Sequence, residues 1–259
     1  MLTAALWAAL AQFALVVGAL LVWRFPRFTQ PRWLGLVMAF GAGAVISAVT
    51  TDLVAEAYAG GGTRPTGVGL AIGAVGFYTL TSWLERRGES ERPEEPLEEA
   101  AERAPDEPLE HVPAASATEA RNLTIGMVLD GVPESIAIGI TVFSGAVSVS
   151  LVAAVFLAGL PEAIGVAAAL LAGGLAVSRV LLRFGAIVVI GALAGVVGFV
   201  ALSGAPPARI SIIQGIAAGA MIVVVVNEMI PISVRGAGRR AGLAAAAGFA
   251  LSAFLSTQG

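Results

Sequence analysis

The sequence predicts an all-α, polytopic membrane protein, an eight-helix transmembrane bundle, on three observations. Of 259 residues, 57% are hydrophobic and 13% charged, with a mean hydropathy of +0.87. A soluble domain is about 45–50% apolar and about 25% charged. The apolar residues also fall in long runs, close to the roughly 20 residues a helix needs to cross a hydrocarbon core of about 30 Å. A soluble core shows shorter runs cut by amphipathic periodicity. Finally, arginine alternates between successive loops, as a chain that crosses a membrane repeatedly requires.

The first segment, 2–23, lacks a basic stretch before it, and its apolar run from Leu2 to Trp23 is too long for the core of a signal peptide. Arg24, Arg27 and Arg32 follow it. It is expected to stay in the protein as the first membrane helix. The next segments are 33–56, 66–84, 121–142, 148–174, 180–203, 207–232 and 240–257. They are punctuated at Pro26 and Pro31, at Gly60 to Gly62 with Pro65, at Pro206 and Pro207, and at Gly236 to Arg240, where glycine and proline break regular structure. The 148–174 stretch is long for one span and is expected to tilt or kink.

The loops 1–2, 3–4, 5–6 and 7–8 hold 13 of the 15 arginines; only Arg64 and Arg209 fall on the other side. Basic loops stay cytoplasmic, so both termini are expected outside, in a multi-pass protein of the cell (inner) membrane. Residues 85–120 hold 12 of the 18 acidic residues, with much Pro and Ala, a composition that cannot build a core. The expected organisation is helices 1–3 in 1–84, an acidic, disordered cytoplasmic loop in 85–120, and helices 4–8 with the site in 121–259. The only histidine, His111, lies in that loop, either as a solvated residue or as a weak metal-sensing contact beside the acids.

The six remaining acids, Asp52, Glu56, Asp130, Glu134, Glu162 and Glu228, all lie inside or at the ends of apolar segments. A carboxylate at the bilayer centre costs several kcal/mol and normally faces the bundle interior. Several such charges repel one another, so they are either protonated or neutralised by a cation. Asp130 and Glu134 are one helical turn apart on one face. Pro133 between them removes a backbone bond and frees the carbonyl of Leu129, which is tolerated at membrane depth where the backbone lines a cavity or is covered by protein. Pro161 precedes Glu162 in the same way, and both glutamates fall at similar depth in neighbouring segments. These features point to a cation site of Asp130, Glu134 and Glu162; the competing reading is structural hydrogen bonding. Asp52 with Glu56, and Asn227 with Glu228, are either solvated helix ends or entry and exit sites on the two sides. Segments two and seven are alike: Gly41-Ala42-Gly43-Ala44-Val45-Ile46 before Asp52 parallels Ala217-Ala218-Gly219-Ala220-Met221-Ile222 before Glu228. Small residues there permit close helix packing, and internal similarity is common in transporters.

Other chemistries lack their residues. Without cysteine there is no disulfide or thiolate site. One loop histidine leaves an intramembrane enzyme without a base or a zinc–water site. No phosphate-binding loop is present, and no basic patch suits nucleic acid. No cofactor is expected.

The chain resembles the ZIP (zinc–iron permease) family of metal transporters, whose members have eight membrane helices, outer termini and a variable cytoplasmic loop after the third helix. The family's His-Asn-x-Pro-Glu-Gly motif on helix four is resembled by Asp130-Gly131-Val132-Pro133-Glu134-Ser135. Its second Pro-Glu-Gly motif is resembled by Leu160-Pro161-Glu162-Ala163. Gly215 to Met221 running into Asn227-Glu228-Met229-Ile230-Pro231, and the segment ending Asp52 to Ala57, are similar to its seventh and second helices. The resemblance implies divalent metal transport by alternating access, with metal ions and membrane lipid as partners; a homodimer is left open. It also marks departures. The helix-four histidine is Asp130, the following asparagine is Gly131, a polar residue before the second Pro-Glu is Gly159, and 190–200 is wholly apolar. In the family those positions help build a second, adjacent metal site, which is expected to be lost here. Carboxylates, carbonyls and water suit Mg²⁺, Ca²⁺ and Mn²⁺, whereas imidazole suits Zn²⁺, so a harder preference than that of a histidine-containing relative is expected. The runner-up reading is a relative that binds metal without moving it, as a sensor or partner subunit.

Overall fold

The structure, a computed structural model, describes residues 1–25, 30–89, 117–143, 149–202 and 205–257. Residues 90–116, with His111 and most of the acidic loop, lie outside the described residues, as do the side chains of Asp130 and Glu228. Eight membrane helices follow in order: α1 (Leu2–Arg24), α2 (Pro31–Ala48, continuing through Val49–Val54 and Ala55–Gly61), α3 (Thr63–Glu89), α4 (Ala117–Phe143), α5 (Val149–Ala172), α6 (Val177–Ala201), α7 (Pro207–Val224, continuing through Val225–Met229 and Ile230–Ala237) and α8 (Arg240–Ser256). Six of them are long and apolar enough on their own to cross a membrane. The exceptions are α8, with 17 residues, and α3, which carries more polar and small residues among its apolar ones.

Most helices outrun the apolar segments that announce them. Pro65, expected in a loop, sits in the first turn of α3, where a missing N–H costs nothing. The 148–174 stretch is one helix of 24 residues with Pro161 inside it. Outward-facing Leu182, Val189, Leu193 and Val197 of α6 are exposed, the apolar surface that a lipid-facing helix presents.

The helices α2 and α7 match landmark for landmark. Each starts at a proline (Pro31, Pro207), enters a π turn (at Val49, at Val225) and stops before a glycine of positive φ (Gly62, Gly238); each landmark in α7 lies 176 residues after its counterpart in α2. In the π turns the N–H of Ala55 reaches the carbonyl of Thr50 and that of Ile230 reaches Val225, five residues back. Such turns are rare and concentrate at functional sites. The two helices run antiparallel. A methyl group at Gly35, near the start of α2, would lie 2.7 Å from the nitrogen of Ala237 at the end of α7, and one at Gly61 would lie 3.0 Å from Ala208 Cα at its start. Matched helices in opposite directions are the arrangement of an inverted repeat.

The buried apolar side chains form two cores. One gathers Ala8 and Ala11 of α1, Met38 to Leu53 of α2, Ala137 and Ile138 of α4, Leu151 to Ala158 of α5, and Ala217 to Met229 of α7. The other gathers Leu15 to Val22 of α1, Met127 of α4, Ala163 to Leu170 of α5, and Val180 to Ile187 of α6. The fifth helix is buried along its length and takes part in both. A helix apolar all round belongs in the centre of a bundle.

Candidate metal site

The two cores leave a gap between them, and polar residues of α1, α4 and α5 fall in it. On α1 the cores end at Ala11 and resume at Leu15, and Gln12 lies between. On α4 they are separated between Met127 and Ala137, a stretch that contains Asp130, Glu134 and Ser135. On α5 the break falls between Ala158 and Ala163, and Glu162 occupies it. A polar belt therefore crosses the bundle where α1, α4 and α5 meet. Close packing holds these helices in place. A methyl at Gly41 of α2 would lie 2.8 Å from Ala158 Cα, and one at Gly18 of α1 would lie 3.1 Å from the Leu160 carbonyl. The Gly18 position also comes within 3.2 Å of the Ile164 nitrogen, so backbones approach α5 both before and after Pro161.

Glu134 and Glu162 are half-buried in this belt, and their charges act directly on each other. The two Pro-Glu turns, expected at similar depth, are brought together. Glu134 also receives a long contact from the Gln12 amide, 3.5 Å from Nε2 to Oε2. Asp130 lies one turn before Glu134 on α4, but its side chain is outside the described residues. Among the described residues, no three His, Cys, Asp or Glu side chains come together.

The other predicted acids lie on α2 and α7, not on the three helices that form the belt. Asp52 sits inside the π turn of α2 and is held by hydroxyls from three helices. Ser256 Oγ of α8 donates to Oδ1 at 2.7 Å, Thr51 Oγ1 donates to the same oxygen at 2.9 Å, and Ser150 Oγ of α5 donates to Oδ2. Glu56, one turn on, is half-buried. Asn227 is exposed, and with Glu228 it lies in the π turn of α7. Because α7 continues to Ala237, this pair is deeper in the helix than a segment ending at 232 implied.

Gln12, Ser135, Ser150 and Ser256 were not singled out from sequence. The signal for Gln12 was available: it is the only amide between Leu2 and Arg24, and a buried polar side chain in an apolar span needs partners. The serines carried no such mark.

An all-α bundle with six helices long and apolar enough to cross a membrane is a multi-pass membrane protein. The family described as ZIP zinc transporter matches residues 1–256, and the chain belongs to that family. Its members carry divalent metal cations across membranes and are transporters rather than enzymes. No curated protein matches the chain.

Proposed function

We propose that this protein moves zinc-, manganese- or iron-class divalent cations through the polar belt by alternating access, with Asp130, Glu134 and Glu162 as the oxygen donors at mid-membrane. The observation that carries the reading is the meeting of Glu134 and Glu162 from matched Pro-Glu turns on neighbouring central helices. Two carboxylates at close range repel; a divalent cation between them turns that repulsion into attraction. All three donors are carboxylates, which suit Mn²⁺ and also bind Zn²⁺. Asp52 with Glu56 lies toward one end of the path and Asn227 with Glu228 toward the other, where they collect and release ions. The arginine bias supports outer termini and a cytoplasmic acidic loop in the cell membrane.

Uptake of Mn²⁺ and Zn²⁺ into proteoliposomes tests the reading. Saturable flux that Glu162→Ala abolishes is the expected result. Saturable binding with no flux would instead favour a protein that binds metal without moving it, and flux indifferent to Glu162→Ala would place the path elsewhere.

A further inference from the structure

Midway along α1, the side chain of Gln12 is 4% exposed and threads between two glycines. A methyl at Gly191 of α6 would lie 2.7 Å from Gln12 Cγ, and one at Gly131 of α4 would lie 2.9 Å from Gln12 Nε2. Both neighbouring helices lack a side chain where this one enters. At its tip Nε2 donates to the Gly131 carbonyl at 3.2 Å and faces Ser135 Oγ at 3.4 Å and Glu134 Oε2 at 3.5 Å. A carbonyl and a carboxylate only accept, which fixes the amide with its nitrogen toward α4. Two N–H groups are shared among three acceptors, so the bonds are long and the amide acts as a common anchor for one turn of α4.

The chemistry of that tip matters. An amide N–H has no lone pair to offer a metal. Gln12 turns this nitrogen, and not its Oε1, toward Glu134 and Ser135, and the side chain fills the volume there. Glu162 approaches the same carboxylate from α5. Glu134 thus feels the charge of Glu162 from α5 and meets an N–H donor on the side toward α1 and α6.

We propose that Gln12 is a positioning residue that restricts the carboxylate site to a single ion: it anchors Glu134, and its N–H donor occupies the space in which a second cation would share that carboxylate. This inference rests on the transport reading above. Gln12→Glu keeps the volume and exchanges the N–H donor for an anionic acceptor, which supplies what a second ion needs. Gln12→Ala removes the anchor, and loss of a group that orients a metal ligand weakens metal binding by about 10- to 100-fold.

The test is metal stoichiometry, measured by calorimetry with Mn²⁺ and Zn²⁺ and by metal content per chain, on the purified full-length protein in detergent. One ion per chain is expected for the unaltered protein, two for Gln12→Glu, and one bound about tenfold more weakly for Gln12→Ala. A merely structural glutamine would not change the count. Two ions on the unaltered protein would overturn the proposal with no variant needed, as would a single ion of unchanged affinity in both variants. Glu162→Ala separates the two levels. If it abolishes binding, the carboxylate site stands whatever the count; binding that survives it sinks the site reading and this inference with it.

Discussion

The hydroxyl clamp on Asp52 gives a stability prediction that can be worked from its contacts. Ser256 Oγ reaches Asp52 Oδ1 at 2.7 Å and joins the end of α8 to the π turn of α2. Thr51 Oγ1 lies within reach of both that oxygen, at 2.9 Å, and the Ser47 carbonyl, at 3.0 Å. A hydroxyl carries one proton and serves one acceptor at a time, so Thr51 divides its proton between Asp52 and the Ser47 carbonyl and can give it wholly to Asp52 when Ser256 is lost. Polar contacts between membrane helices average about 0.6 kcal/mol and reach about 1.7 kcal/mol. The substitution Ser256→Ala is therefore expected to cost about 1 kcal/mol, softened by Thr51. Asp52→Ala also loses the Ser150 contact and is expected to cost about 2 kcal/mol, the sum of two such contacts. In a double-mutant cycle the pair should couple by about 0.6–1.7 kcal/mol. Unfolding in mixed micelles with SDS, followed by tryptophan fluorescence, reads each term. Additivity within about 0.3 kcal/mol would show that the two side chains do not act as a unit and would refute the clamp.

Other substitutions probe other parts of the molecule. Asp130→His should raise the ratio of zinc to manganese uptake, since imidazole suits Zn²⁺ better than Mn²⁺; an unchanged ratio in a metal panel would count against Asp130 as a ligand. Gly73→Leu should destabilise the bundle by about 1–3 kcal/mol, the usual cost of overpacking. Even a methyl there would lie 2.7 Å from Ile216 Cα on α7, and a melting temperature equal to that of the parent would contradict this close approach. The chain has no cysteine, so single cysteines report topology cleanly. Arg209→Cys should react with a membrane-impermeant thiol reagent added to intact cells, and Arg239→Cys only after the cells are opened; both positions are exposed. The reverse pattern would invert the proposed orientation.

Much of the fold was legible because a bilayer imposes length. Eight apolar runs became eight helices, and their order is the order of the runs. The Pro-Glu pair was legible because it repeats a local pattern at comparable depth. Boundaries were less so: α3 carries on to Glu89 and α7 to Ala237, since a helix can extend past its apolar stretch while its backbone bonds to itself. The π turns themselves were not legible: Val49–Val54 and Val225–Met229 share an acid at the same place, Asp52 and Glu228, a pattern that an ordinary α turn carries equally well. The contacts of Gln12 with Gly131, Glu134 and Ser135 join residues 119 to 123 apart, and no periodicity within α1 points to them. Nor did anything local tie Ser256 to Asp52, 204 residues earlier.

The pairing of α2 with α7 has a consequence for direction. Two helices of one design, laid head to tail, present the same backbone turns toward opposite ends of the bundle. The framework of these two helices reads the same from either end, as a revolving door does, and on the transport reading their backbone favours neither direction of movement. The asymmetry lies in what hangs from the shared frame. At one end an aspartate is gripped by hydroxyls from α2, α5 and α8; at the corresponding place on the other helix stand Asn227 and Glu228. On the transport reading, these side chains rather than the shared backbone carry any difference between the two ends.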